Sequence, residues 1–214
     1  LGGSTGSGKS SLFNAISGLE LANVGFLRPT TSEALACAWG PGGATDLLDW
    51  IGVLRRNQIS RRSHLDLTDR HTDLEGLVLV DLPDHDSVAV ENKRVVDRLV
   101  AHADLFIWVL DPQKYADAAI HEQYLEPLST HRETTLVVLN QIDRLPTADQ
   151  EIALADLRRV LDQEGLYEVP ILATSTFTGQ GLVELRREIR QRISSKETAT
   201  ARLVGDVRAA ASNL

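Results

Sequence analysis

Residues Gly3 to Ser10 read G-S-T-G-S-G-K-S, and no other stretch constrains the chain as strongly. The glycines let the backbone curl so that successive N–H groups face one polyphosphate. Lys9 neutralises its terminal oxygens, and the Ser10 hydroxyl is a ligand for Mg²⁺. Gly3, Ser4, Thr5, Gly6, Ser7, Gly8, Lys9, Ser10 and Ser11 are therefore the candidate phosphate-binding residues. The S-L-F-N-A-I-S that follows continues as an amphipathic helix whose N-terminus faces the phosphates. A loop of this kind follows a buried strand, and almost none of that strand precedes it here. The chain is accordingly expected to be cut from a longer protein.

With 214 residues the chain is one large domain, or one domain with an appendage. Its net charge of −8 argues against a nucleic-acid field spread over the whole surface, though not against a local basic patch. The single cysteine, Cys37, excludes an internal disulfide framework and a multi-cysteine metal site. No apolar run approaches the roughly 20 residues that span a bilayer, and there is no signal segment, so a soluble, cytoplasmic chain is expected.

Four apolar runs, Leu77–Leu82, Leu105–Leu110, Thr135–Asn140 and Pro170–Ala173, are rich in Val, Ile and Leu with little alternation. Strands covered on both faces of a parallel sheet look like this. Helical stretches separate them, near Val88–His102, Tyr115–Ser129, Ala148–Glu164 and Gly181–Ser194. In the third, Ile152, Ala155, Leu157, Val160 and Leu161 form the expected apolar face. The fold class is α/β, a three-layer, doubly wound and mostly parallel sheet.

Three further motifs choose the ligand. V-D-L-P-D-H (Val80–His85) ends an apolar strand, where α/β folds bind ligands, so Asp81 is placed to hold Mg²⁺ opposite Ser10. L-N-Q-I-D (Leu139–Asp143) follows the next-but-one strand. The Asp143 carboxylate suits the paired N1–H and amino donors of guanine, a pair adenine lacks. Asn140 either ties neighbouring loops together or touches the acceptor edge of the base. L-A-T-S-T-F-T-G-Q-G-L (Leu172–Leu182) then places Ser175 and the Thr176 N–H against the guanine O6.

In this order the motifs resemble those of the Era- and TrmE-like P-loop GTPases of the translation-factor class. The resemblance runs from Gly3 to about Ile193 and is strongest to the bacterial YfjP-type, ribosome-associated group. It implies a GTP/GDP site with Mg²⁺ and slow hydrolysis of GTP to GDP and phosphate. It also implies that R-P-T-T (Arg28–Thr31) is the first switch, with Thr31 rather than Thr30 closing over Mg²⁺ and the γ-phosphate. Three departures stand out: Asp84 in the glycine place of D-x-x-G, Gln141 in the lysine place of N-K-x-D, and Thr176 where alanine is usual. The first puts γ-phosphate sensing in doubt and the second affinity. His85 follows the strand-end motif, where relatives orient the attacking water; an exposed turn histidine is the equal alternative. Arg28 reads as a solvated loop residue before it reads as an internal arginine finger. The lysine of the phosphate loop, Thr31 and His85 make up the candidate catalytic set.

The G domain is expected over residues 1–194, interrupted by an insertion at about 41–75 and followed by a helical extension at 195–214. In the insertion Leu47, Trp50, Ile51 and Leu54 line one helical face, with Thr45 as its cap and Arg55, Arg56, Arg61 and Arg62 beyond. Packing on the sheet is the first reading of that face; a protein partner, or contact with RNA or membrane, comes after it. Two other functions compete with the GTPase: a nucleotide-binding interaction module with little hydrolysis, and an ATP-using transporter subunit. An L-S-G-G-Q-like segment is lacking and Asn140/Asp143 have no use for adenine, which ranks the last reading lowest. Beyond guanine nucleotide and an unidentified protein effector, ribosome, RNA and membrane are partners compatible with the sequence and required by none of it.

Overall fold

The computed structural model describes residues 1–18, 33–40, 44–61, 74–83, 99, 102–113, 115 and 132–196. Strands β1 (Gly2–Gly3), β5 (Phe106–Leu110), β6 (Thr135–Leu139) and β7 (Ile171–Ala173) form a four-stranded parallel sheet in the order β1-β5-β6-β7. Strands β2 (Leu35–Trp39), β3 (Gln58–Arg61) and β4 (Val78–Asp81) form a second sheet in the order β3-β2-β4. Leu1 bridges the two, its N donating to Val80 O at 2.6 Å and its O accepting from Leu82 N at 3.0 Å.

All four strands read from the apolar runs are present, each within a residue or two of its expected ends. β5 and β6 are buried at every position, and alternate residues feed two separate cores. Trp108, Leu110, Val137 and Leu139 pack with Leu48 and Ile51 of α2 (Thr45–Ile51) and Leu157 and Leu161 of α3 (Thr147–Gln163). Ile107, Val109, Leu136 and Val138 pack with Leu12, Phe13 and Ile16 of α1 (Lys9–Ser17) and Leu185 and Ile189 of α4 (182–196). The period-two alternation of a strand thus builds the three layers, helices on both faces of the sheet.

Several local expectations are corrected. The buried face of α3 is Ala153, Leu157, Val160 and Leu161, whereas Ile152 and Ala155 are exposed. A 3.6-residue period starting one position later accounts for that rotation. In α2 the buried residues are Leu48 and Ile51, one stripe round from the expected face; Leu47, Trp50 and Leu54 are about half exposed. Ala44 rather than Thr45 stands at the N-cap, and Leu54 lies beyond the helix.

Strands β2 and β3 with α2 make a small β-α-β unit. Chain leaves β2, crosses through α2, and returns as β3 parallel to β2, while β4 pairs with β2 antiparallel. The expected helices near 88–102 and 115–129, and the extension after 196, lie almost wholly outside the described residues. Among the described residues no helix is long and apolar enough to cross a membrane.

Candidate functional site

The phosphate loop leaves β1 and enters α1, with Gly8 at the N-cap in the left-handed region (φ 84°). Glycine is required there twice over, because a Cβ on Gly8 would stand 2.4 Å from Asn140 Nδ2. Gly3 is as tightly held, a Cβ at that position falling 2.1 Å from Val109 O of β5. Ser7 N and Ser7 Oγ both donate to Ser4 O, at 3.2 and 2.9 Å, which closes the curl. Lys9 Nζ reaches back over it to Gly3 O (2.8 Å) and Ser4 O (3.1 Å), so the ammonium already spans the loop. Burial leaves Lys9 only 3% exposed. A buried ammonium held on backbone carbonyls is poised to exchange them for the stronger charge-assisted bonds of phosphate oxygens.

Across the loop, Ser10 Oγ donates to Asp81 Oδ2 at 2.8 Å. Asp81 is completely buried at the end of β4. A hydroxyl and a carboxylate facing each other at that distance are hard oxygen donors suited to Mg²⁺, which they would hold together with the phosphates. The residues therefore fit the ion that the motif order implies.

The base-side turn is fastened to the same loop. Asn140 is buried, donates from Nδ2 to Ser7 O at 3.0 Å, and accepts from Thr174 Oγ1 at 3.1 Å. Asn140 thus ties the turn to the phosphate loop and to the segment after β7. Gln141 sits in the left-handed region (φ 59°) and donates from Nε2 to Gly6 O at 2.7 Å. Asp143 follows in the exposed 3₁₀ turn Ile142–Arg144, which Ile142 N anchors to Thr174 O at 3.1 Å. Ser175 N–H donates to Gln180 O and its hydroxyl accepts from Thr178 N, both at 3.0 Å, which shapes the turn and leaves the Ser175 O–H as a donor. Thr176 is half-buried beside it.

Thr31 and His85, with Asp84 and Arg28, lie outside the described residues. All the other candidates converge at the C-terminal ends of β1, β4, β6 and β7. An apolar cavity of about 650 Å³ opens instead beside Leu1, toward the starts of β4 and β5, away from this convergence.

Three of the insertion's arginines already have partners. Arg55 pairs with Asp49 at 2.7 Å, Arg56 with Glu33 at 2.5 Å, and Arg61 Nη1 donates to Ser17 O at 2.8 Å. Hydrogen bonds from Asn57 and then Arg56 hold the Glu33 carboxyl below its usual range; Arg55 and then Gln58 do the same for Asp49. Arg62 lies outside the described residues.

The family model of the 50S ribosome-binding GTPases matches residues 1–141, two-thirds of the chain and every part of the phosphate loop. The chain belongs to this GTPase family. Guanine-nucleotide binding is the property the family brings, and the buried Asn140 link places the base motif of this GTPase against its phosphate loop.

Solved structures agree on the fold. A bacterial dynamin from an oligomerised pair that senses and tethers membranes superposes with a TM-score of 0.67 at 17% identity, over 95% of this chain and 46% of that one. Elongation factor SelB from Methanococcus maripaludis, bound to a GTP analogue, gives 0.54 at 18% identity, over 90% and 32%. Toc33 from Arabidopsis thaliana, with Mg²⁺ and GMPPNP, gives 0.57 at 12% identity, over 91% and 82%. The chain thus spans between a third and a half of the length of the dynamin and SelB chains. No curated protein matches it.

Proposed function

We propose that this G domain selects guanine nucleotides through Asp143 and hydrolyses GTP to GDP and phosphate. The Asn140 side chain carries the reading: one buried amide touches both the phosphate loop and the base-side turn, so Asp143 and Lys9 act on the two ends of one ligand. Loop N–H groups and Lys9 bind the β- and γ-phosphates, and Ser10 with Asp81 holds Mg²⁺, which supplies neutralisation of the charge developing on the phosphoryl oxygens. Thr31 closes over the phosphates and His85 orients water as nucleophile. Catalysis of this kind is positioning and electrostatics, and its intrinsic rate is slow without a partner.

A second reading, a GTP-occupied interaction module with little turnover, is favoured by Asp84, which puts a carboxylate where the D-x-x-G pattern has glycine. Single-turnover hydrolysis by His85→Ala and Asp84→Gly separates the two. The resemblance to Era- and TrmE-like proteins suggests a regulatory or assembly role with a protein effector. The ribosome in the family's description and the membranes of the dynamin pair are candidate partners.

Guanine selection is tested by binding of GTP, ATP and XTP to wild type and Asp143→Asn. Wild type prefers GTP; the substitution costs about a hundredfold in GTP affinity, from the loss of two charge-assisted hydrogen bonds, and shifts preference to XTP. Equal binding of ATP and GTP by wild type would refute the reading.

A further inference from the structure

Guanine differs from adenine along one edge of the ring, where an N1–H and an amino group lie beside the acceptor O6. Reading that edge takes an acceptor and a donor held at a fixed separation. Here they stand on two different turns: the Asp143 carboxylate within Ile142–Arg144, and the Ser175 O–H and Thr176 N–H on the segment after β7. Ile142 is fully buried and its N–H donates to Thr174 O at 3.1 Å, so the start of the Asp143 turn is sunk in the core. Asp143 and Arg144 themselves are exposed, and their placement depends on what holds the chain on either side.

Gln150, in the first turn of α3, does that holding. Its Nε2 donates to Ile142 O and to Leu145 O, both at 3.2 Å, the carbonyls that flank Asp143 and Arg144. Its Oε1 accepts from Gln180 Nε2 at 3.3 Å. The backbone O of Gln180 accepts in turn from Ser175 N at 3.0 Å. One half-buried amide thus uses both its ends, the donor toward the Asp143 turn and the acceptor toward the Ser175 segment. We infer that Gln150 is a positioning residue for guanine selection, setting the distance between Asp143 and the donors for O6 without touching the nucleotide. The inference rests on the guanine reading of Asp143 and deepens it. With the bonds of Gln150 gone, either turn still meets the base, but the two no longer meet it together at good geometry. The advantage of guanine over adenine then shrinks, while the phosphate contacts common to both nucleotides stay.

The test measures dissociation constants of GDP and ADP for wild type, Gln150→Ala, Gln150→Glu and Gln180→Ala. The ratio of the two constants reports the base edge, because the ligands share ribose and phosphates. Gln150→Ala is expected to weaken GDP by about tenfold, the effect of one or two lost hydrogen bonds, and to leave ADP within about twofold. Gln150→Glu keeps the shape but turns an acceptor toward two carbonyls, so it is expected to lose as much; a packing role would be rescued by it. Gln180→Ala, at an exposed position, removes the link between the turns alone and is expected to weaken GDP by about threefold with an unaltered thermal midpoint. Equal losses for GDP and ADP overturn the inference, as does a Gln150→Glu variant with wild-type selectivity. An inert Gln180→Ala beside an impaired Gln150→Ala overturns it too, since Gln150 would then brace the Asp143 turn alone. Wild type binding ADP as well as GDP removes the guanine reading and the positioning role together. A guanine preference undiminished in all three variants removes the positioning role alone.

Discussion

At the ends of β1, β4, β6 and β7, polar side chains turn inward and bond the backbone of a neighbouring loop; around β2 and β3, charged side chains turn outward and bond one another. Asn140 and Gln141 of one turn, and Lys9 of the loop itself, all donate to carbonyls of residues 3–8, so the turn and the ammonium converge on one loop. Arg55, Arg56, Asp49 and Glu33 instead pair at the surface of the insertion. The first arrangement is a receptor whose donors change partner when an anion arrives. The second is scaffolding, in which Arg55 and Arg56 are already matched by carboxylates.

If the two regions are separable in this way, substitutions in one should leave the other untouched. The largest effect is expected from Lys9→Ala, which lowers GDP affinity by about a hundredfold or more, because charge-assisted bonds to phosphate are lost without replacement. Its thermal midpoint without nucleotide should stay near that of wild type. Leu48→Ala should do the reverse. Removing a fully buried leucine from α2 costs about 3 kcal/mol of stability by denaturant titration, with GDP affinity unchanged within twofold at temperatures where the protein is folded. A parallel loss of affinity would break the comparison and point to Arg61, whose bond to Ser17 O joins β3 to the far end of α1. The smallest effect is expected from Arg55→Ala, which should leave both midpoint and affinity unaltered, since exposed ion pairs are screened and entropically costly.

The same division explains what the sequence made legible. Strands β5 and β6 announce themselves because burial on both faces demands unbroken apolar runs such as F-I-W-V-L, and the half-buried β4 and β7 keep enough Val, Leu and Ile to be read as well. β2 reads L-A-C-A-W, where alanines give no strand signal, and β3 reads Q-I-S-R, with Ile59 its only apolar residue. Both are strands because of the neighbours they pair with, which no local pattern records. Within the site, the motifs named Asn140 and Asp143 through their chemistry. They did not show that Gln150 joins Ile142 O to the Gln180 side chain, because this depends on loop geometry set by residues far apart in sequence.

Leu1 joins the two sheets by bonding to Val80 and Leu82, and the adjoining β1 pairs with Trp108 and Val109 of β5. Such contacts close loops of roughly eighty to a hundred residues, and closures of that span come late in folding because their entropy must be met before other pairings reward it. The phosphate loop hangs directly from that last-placed strand. Competence to hold a nucleotide therefore appears only when both sheets are in register, and ligand binding doubles as a report that the fold is complete.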